Sequence, residues 1–132
     1  MRTGSETNGR TVNPVLDTNI LIDYLRGIEK AQQELARYPD CSISLITWME
    51  IMVGAADRNE EVLLRDFLSR FTRIAVSADI AETAVTIRRQ HRIRIPDAII
   101  WASAQASNTL LVTRNTHDFP PDNPDIRIPY SL

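Results

Sequence analysis

The stretch "VLDTNILIDYL" (residues 15–25) is the one on which the interpretation of the fold depends. It opens with apolar residues directly after Pro14, which is typical of the entry to a buried strand, where a missing N–H is tolerated. Asp17 then interrupts the run, and aspartate is a favoured residue at a helix N-cap. Apolar residues resume at helical spacing and end near Gly27. The stretch therefore predicts a buried strand over 13–17 that passes through one acidic residue into a helix over 18–26.

The same alternation of strand and helix continues along the chain. Strand patterns recur at 41–45, 73–77, 109–113 and 125–129, and helical patterns recur at 29–37, 47–56, 59–71, 79–91 and 96–107. Such alternation favours a mainly parallel sheet covered by helices on both faces. We therefore expect an α/β fold of three layers, α/β/α, in one domain spanning 12–132. The polar segment 1–11 is predicted to be a flexible N-terminal tail.

Composition excludes several classes of protein. No apolar run approaches the roughly 20 residues of a membrane span, and the polar start lacks the apolar region of a secretory signal, so we expect a cytoplasmic protein without membrane contact. Cys41 is the only cysteine, which rules out an internal disulfide, and with only His91 and His117 beside it a closed zinc site is not expected. The net charge of −2 gives no general attraction to nucleic acid.

Four acidic residues occupy related places in the predicted fold. Asp17 and Asp118 follow apolar strands, Glu50 lies early in the helix after a strand, and Asp97 follows Pro96 at the start of a helix whose residues 98–106 carry no charge. In open parallel sheets, ligands bind beyond the carboxyl ends of the strands. Carboxylates that converge there repel one another unless cations lie between them. Their hard oxygen atoms suit Mg²⁺ or Mn²⁺.

Each acid also has a purely structural explanation. Asp17 can cap its helix, and Thr47 with Glu50 fits the capping-box pattern of a helix start. Asp97 can interact with the positive end of a helix dipole, and Asp118 can belong to an ordinary polar loop. Asp23 lies about 120° around the first helix from Asp17, so it is predicted to be a surface or supporting residue.

Four segments taken together resemble a known family. The segments "VLDTNILIDYL", "SLITWMEIMVGA", "IPDAIIWASA" and "LLVTRNTHDF", in this order and spacing, resemble the PIN-domain family, and within it the VapC toxins of bacterial VapBC toxin–antitoxin pairs and the FitB-type proteins. The resemblance covers residues 12–132. It implies a metal-dependent ribonuclease whose acidic residues match Asp17, Glu50 and Asp97. Asp118 is chosen as the fourth acid, with Asn115 as the alternative.

The resemblance implies roles for the acids and their neighbours. One or two Mg²⁺ ions, or Mn²⁺, would be held by Asp17, Asp97 and Asp118, with Glu50 as a ligand or as the residue that orients an activated water. RNA phosphodiester bonds would be hydrolysed by that water. Supporting roles are expected for four polar residues: Thr18, Asn19, Thr113 and Asn115.

Arginines are the candidates for holding RNA beside an acidic site. The segment "RRQHRIR" (88–94) precedes Asp97, and Arg114 follows Thr113. Phosphate contact is one explanation of the segment, and favourable charge at a helix C-terminus is the other. The candidate RNA-binding residues are Arg88, Arg89, Arg92, Arg94 and Arg114. Trp48 and Trp101 have apolar neighbours and are predicted to lie in the core.

The resemblance also implies partners and leaves alternatives open. A small VapB-type antitoxin and a second copy of the chain are expected, with the segments 59–71 and 29–37 as candidate surfaces. A non-catalytic PIN-like binding or scaffold protein is the main alternative, and a relative that acts on DNA is another. A nucleotide-binding module with a phosphate loop is not expected, because the chain has neither G-x-x-x-x-G-K nor G-x-G-x-x-G.

Overall fold

A computed structural model describes the backbone of residues 6–7 and 10–132, and the side chains from residue 12 onward. The predicted flexible tail lies largely outside these residues. Within it, strands β1 (Glu6–Thr7) and β2 (Arg10–Thr11) pair with each other in antiparallel fashion.

The remaining elements alternate as the sequence predicts. The strands are β3 (Val15–Leu16), β4 (Ser42–Ser44), β5 (Thr72–Ile74), β6 (Leu111–Val112) and β7 (Ile126–Arg127). The helices are α1 (Thr18–Leu25), α2 (Glu29–Ala36), α3 (Leu45–Met52), α4 (Arg58–Leu68), α5 (Ala78–His91) and α6 (Ile95–Ala106).

The central sheet has the strand order β5-β4-β3-β6-β7, and each neighbouring pair is parallel. Parallel pairing brings the carboxyl ends of the strands to one edge of the sheet. Val15 is in register with Ser42 on one side and with Leu111 on the other, so β3 lies at the centre. The residues after β3, β4 and β6 therefore meet at the same edge, which is where the acids are predicted to gather.

The core is divided between the two faces of the sheet. Successive residues of a strand point to opposite faces, and Val15 accordingly packs with α5 and α6 while Leu16 packs with α1, α3 and α4. The first cluster contains the buried Trp101, and the second contains Phe67. The structure confirms the predicted three-layer α/β/α fold with a parallel sheet.

Two local predictions near Glu50 are wrong. Helix α3 begins at Leu45, and Ser44 is its N-cap because the Ser44 hydroxyl accepts a hydrogen bond from the Ile46 amide. Thr47 is consequently a buried residue inside the first turn, and it does not form the predicted capping box with Glu50. Serine is at least as good a cap as threonine, and Ser44 already stands at the end of β4.

The two tryptophans differ in burial. Trp101 lies fully in the core, as predicted. Trp48 packs against the second cluster but is only half-buried, and the guanidinium groups of Arg65 and Arg73 lie 5.4 and 5.0 Å from its ring centroid. Over the described part of the chain, none of the helices has the length and apolar character needed to cross a membrane.

Candidate active site

Asp17 stands at the centre of the candidate site because β3 ends and α1 begins around it. Its carboxylate is 4% exposed and caps α1 by accepting a hydrogen bond from the Thr18 amide at 2.8 Å. The Thr113 hydroxyl donates to Asp17 Oδ2 at 2.7 Å, and Asn19 Nδ2 donates to the same oxygen at 3.2 Å. The structural and functional explanations of Asp17 therefore coexist in one residue.

Burial makes the charge of Asp17 costly. It raises the pKa of the Asp17 carboxyl from 3.8 to about 6, against the opposing effect of the Thr113 and Thr18 hydrogen bonds. The charges of Asp97 and Glu50 raise this pKa further. These couplings show that the three carboxylates lie close enough to sense one another, although they come from three different helices and loops.

Glu50 approaches the site from α3 through Thr18. The Thr18 hydroxyl donates to Glu50 Oε1 at 2.6 Å, and it lies 3.0 Å from the hydroxyl of the buried Thr47. The Glu50 side chain is exposed. Of its apolar neighbours, Ile51 is buried in the second cluster, whereas Met49 is exposed as Glu50 is.

Asp97 lies in the first turn of α6, with Pro96 at a position where its missing N–H costs nothing. Its Oδ2 is buried and has no hydrogen-bond partner among the described residues. The nearest cation is Arg94, whose Nε lies 3.9 Å away, too far for a hydrogen bond. Burial raises the pKa of Asp97, Arg94 lowers it, and the charges of Asp118 and Glu50 raise it.

Asp118 is held by a turn after β6. Asn115 Nδ2 donates to Asp118 Oδ2 at 2.9 Å, while Asn115 Oδ1 accepts from the amides of His117 and Asp118. Both polar atoms of the Asn115 side-chain amide are therefore bonded to Asp118. The same turn connects to Asp17, because the Asn115 amide donates to the Thr113 hydroxyl at 3.0 Å.

Comparisons with known proteins agree with this architecture. A family model described as the PIN domain matches residues 15–120. The chain belongs to the PIN-domain family. A chain from the structure described as a toxin–antitoxin complex from Klebsiella pneumoniae is 45% identical, with a TM-score of 0.86 over 91% of this chain and 100% of that one. The resemblance read from the four sequence segments is confirmed.

More distant relatives share the fold. A chain of the DNA-bound VapBC complex from Salmonella typhimurium is 23% identical with a TM-score of 0.71, covering 92% of this chain and 98% of that one. A chain of FitAcB from Neisseria gonorrhoeae is 22% identical with a TM-score of 0.70, covering 87% and 96%. No curated protein sequence matches the chain.

The acids of this PIN domain suit a hard divalent cation. Among the described residues Asp97 Oδ2 is a buried acceptor without a donor, and burial followed by the charges of Asp97 and Glu50 raises the pKa of Asp17. Within residues 12–132, no three acidic, histidine or cysteine side chains are already gathered at the spacing of a metal cage. The carboxylate oxygens of these acids are the type of donor that Mg²⁺ and Mn²⁺ prefer.

The candidate RNA-binding arginines divide into two groups. Arg88, Arg89, Arg92 and Arg94 are all exposed, at the C-terminus of α5 and in the turn that leads to α6. The side chain of Arg94 is 84% exposed although it is the cation closest to Asp97. Arg114 is different, because its Nε and Nη2 donate to Asp23 at 2.7 and 3.0 Å.

Asp23 is buried inside the protein. It is 2% exposed, so of its two predicted placements, at the surface or in a supporting role, the surface placement is wrong. At 100° per residue Asp23 points away from Asp17, but this angle carries no information about the residues that cover Asp23. Tyr130, which donates to Asp23 Oδ2 at 2.8 Å, was not singled out at all. Its position 107 residues later in the chain leaves no local signal of the contact.

Proposed function

We propose that this PIN domain is the VapC-type toxin of a toxin–antitoxin pair and that it acts as a metal-dependent endoribonuclease. The observation that carries the proposal is the group of electrostatically coupled carboxylates at the carboxyl edge of the sheet, with Asp97 Oδ2 buried and unpaired among the described residues. The 45% identity to a chain of a toxin–antitoxin complex supports the biological setting.

The proposed ion is Mg²⁺, with Mn²⁺ as a substitute. Asp17, Asp97 and Asp118 would hold it, and Glu50 would complete the set or orient a water beside it. When bound, such an ion stabilises charge on phosphate oxygens and lowers the pKa of water, which is the chemistry that phosphodiester hydrolysis requires.

The residues of the chain prepare this site in defined ways. Thr113 donates to Asp17 Oδ2, which opposes the rise in its pKa and keeps the carboxylate available as an anion. Thr18 bonds to Glu50 through its hydroxyl and to Asp17 through its amide, so it orients these two acids together. Asn115 orients Asp118 through its side-chain amide. Each supporting residue therefore acts on one specific acid.

RNA binding is proposed for the exposed arginines around 88–94. An acidic site repels a polyanion, and cations at its rim offset that repulsion. Contacts of this kind position the phosphate backbone without reading sequence. The proposed products carry a 5′-phosphate and a 3′-hydroxyl, as the family resemblance implies.

The proposed partners are a VapB-type antitoxin and a second copy of the chain. A groove of about 400 Å³ lies between α1, α2 and α4, lined by aromatic residues that include Tyr24, Phe67 and Phe71. It combines parts of the two segments, 29–37 and 59–71, that the sequence marks as candidate surfaces. The polar and charged lining of Asp40 and Arg70 would orient a bound segment.

The test is a cleavage map with purified protein that is free of any antitoxin. Total RNA is incubated with Mg²⁺ or Mn²⁺, the 5′ ends are sequenced, and a DNA arm is run in parallel. We expect discrete RNA cuts that disappear with EDTA and with Asp97→Asn. The matched control is Asp66→Asn, an exposed acid on α4, which should cut as the wild type does.

Three outcomes contradict the proposal in different ways. Absence of RNA cleavage with either metal contradicts the nuclease function and favours a binding or scaffold protein. Cleavage of DNA alone favours the DNA-directed alternative. Cleavage by a folded Asp97→Asn protein at the wild-type rate removes the acidic site from the mechanism.

A further inference from the structure

Two buried carboxylates outside the acidic site have closely similar surroundings. Asp23 in α1 accepts hydrogen bonds from Arg114 Nε, from Arg114 Nη2 and from the Tyr130 hydroxyl, at 2.7, 3.0 and 2.8 Å. We call this set the Asp23 clamp. A buried carboxylate is tolerated when it is paired and hydrogen-bonded, and a side-on arginine with a phenol satisfies that condition.

Glu34 in α2 forms the second set. It accepts from Arg127 Nε and Nη2 at 2.7 and 2.9 Å, and from the Tyr38 hydroxyl at 2.7 Å. We call this set the Glu34 clamp. Both carboxylates are at most 4% exposed, and both join a helix to the C-terminal part of the chain. The two clamps are therefore alike in chemistry, in burial and in the kind of segment that they join.

The clamps differ in the segments to which their arginines belong. Arg114 lies between Thr113, which donates to Asp17, and Asn115, which donates to Asp118. The Arg114 amide also donates to Asn19 Oδ1 at 3.2 Å. The Asp23 clamp therefore anchors the middle of a segment that contacts two acids of the site. Arg127 lies in β7, at the edge of the sheet.

The bonds inside the turn and the clamp have separate roles. Asn115 Oδ1 accepts from the amides of His117 and Asp118, which sets the shape of the turn. Those bonds do not connect the turn to α1. Two bonds from Arg114 make that connection: its amide bonds to Asn19 at the start of α1, and its guanidinium bonds to Asp23 more than one turn further along the same helix.

We infer that Asp23 is a positioning residue for the acidic site, holding Arg114 so that Thr113 and Asp118 are placed opposite Asp17 and Asp97. This inference rests on the proposed metal-dependent function. It assigns the Nε and Nη2 edge of Arg114 to Asp23, in place of the phosphate contact that the sequence suggested. Residues that orient metal ligands from behind commonly change metal affinity by about 10- to 100-fold when they are replaced.

The test compares the two clamps in the full chain. The variants are Asp23→Asn and Tyr130→Phe in one clamp, and Glu34→Gln and Tyr38→Phe in the other. For each we would measure Mn²⁺ binding by electron paramagnetic resonance, amide hydrogen exchange over 113–118, urea unfolding, and kcat and KM for RNA cleavage. Mn²⁺ is the only added ligand in the binding measurement.

We expect both clamps to contribute to stability but only one to the site. Asp23→Asn should weaken Mn²⁺ binding about 10-fold or more, speed exchange over 113–118 and lower kcat with little change in KM. Tyr130→Phe should change the same quantities in the same direction by about fivefold, because a typical hydrogen bond is worth about 1 kcal/mol and one order of magnitude corresponds to about 1.4. Glu34→Gln and Tyr38→Phe should leave Mn²⁺ affinity and kcat at the wild-type level.

The outcomes separate this inference from the proposed function. Equal Mn²⁺ affinity in the wild type and in folded Asp23→Asn overturns the inference, and so does an equal loss in both clamps. If Asp23→Asn does not fold, the comparison of Tyr130→Phe with Tyr38→Phe decides. If Asp23→Asn raises KM and weakens the salt dependence of RNA binding without changing Mn²⁺ affinity, the result would instead assign Arg114 to RNA binding. If the wild type neither binds Mn²⁺ nor cuts RNA, the proposed function fails. Unchanged amide exchange over 113–118 in Asp23→Asn would separately overturn the role of the Asp23 clamp in positioning that segment.

Discussion

Replacement of Asp17 by asparagine should make the metal-free protein more stable at neutral pH while abolishing cleavage. Asp17 is 4% exposed, and its pKa is about 6 in the folded protein compared with 3.8 as its ordinary value. Between these values the folded state binds more protons than the unfolded state, so stability falls as pH rises. The difference of about two units corresponds to roughly 3 kcal/mol at pH 8, and it vanishes below about pH 4.

Asparagine has the shape of aspartate without its charge, so it should recover most of that free energy. Its oxygen can still accept from the Thr18 amide, and its NH₂ group can donate to the Thr113 hydroxyl. The Asn19 Nδ2 group would then face another donor, which offsets part of the gain. We therefore expect Asp17→Asn to raise the free energy of unfolding by about 1 to 3 kcal/mol at pH 8.

Urea unfolding in EDTA at pH 4, 6 and 8 provides the measurement. The difference between variant and wild type should be near zero at pH 4 and should grow with pH. Added Mg²⁺ should stabilise the wild type and have no effect on the variant, since only the wild type keeps the proposed ligand. Asp66→Asn, at an exposed position on α4, controls for general charge effects. The reasoning is refuted if the variant is less stable than the wild type at pH 8, or if the difference does not depend on pH.

Three further predictions concern the strand, the supporting threonine and the arginines. Leu16→Ala should lower the free energy of unfolding by about 2 to 5 kcal/mol in urea, because Leu16 is fully buried in the second cluster; a loss below about 1 kcal/mol would contradict the packing. Thr113→Val should keep the side-chain volume but remove the donor to Asp17 Oδ2, so Mn²⁺ affinity measured by calorimetry should fall about 10-fold. The control, Thr109→Val in the loop before β6, should leave Mn²⁺ affinity unchanged. Glutamine at the exposed arginines should weaken RNA binding and reduce the slope of log K against log salt by about 0.7 for each phosphate contact that is lost; an unchanged slope would assign these residues to the surface alone. The arginines are Arg88, Arg89, Arg92 and Arg94.

The order of strands and helices was readable from the chain alone. A parallel strand that is covered on both faces is a continuous apolar run, whereas a helix that covers it is apolar on one side only. The two kinds of element therefore leave different patterns in the sequence. Asp17 could be placed for the same reason, because it lies where the continuous apolar run of the strand gives way to the spaced apolar residues of the helix. The start of α3 was misjudged by two residues, because Ser44 and Thr47 are both suitable caps and only the end of β4 decides between them.

The tertiary structure alone decided which residues surround each acid. Asp17 and Asp23 lie in the same quoted stretch, and both are buried, but Thr113 covers the first while Arg114 and Tyr130 cover the second. Those partners lie 91 to 107 residues away, and their contact depends on β6 pairing beside β3. Periodicity reports which face of an element is buried, because that property is local. It does not report what covers the face, because that depends on how distant segments pack together.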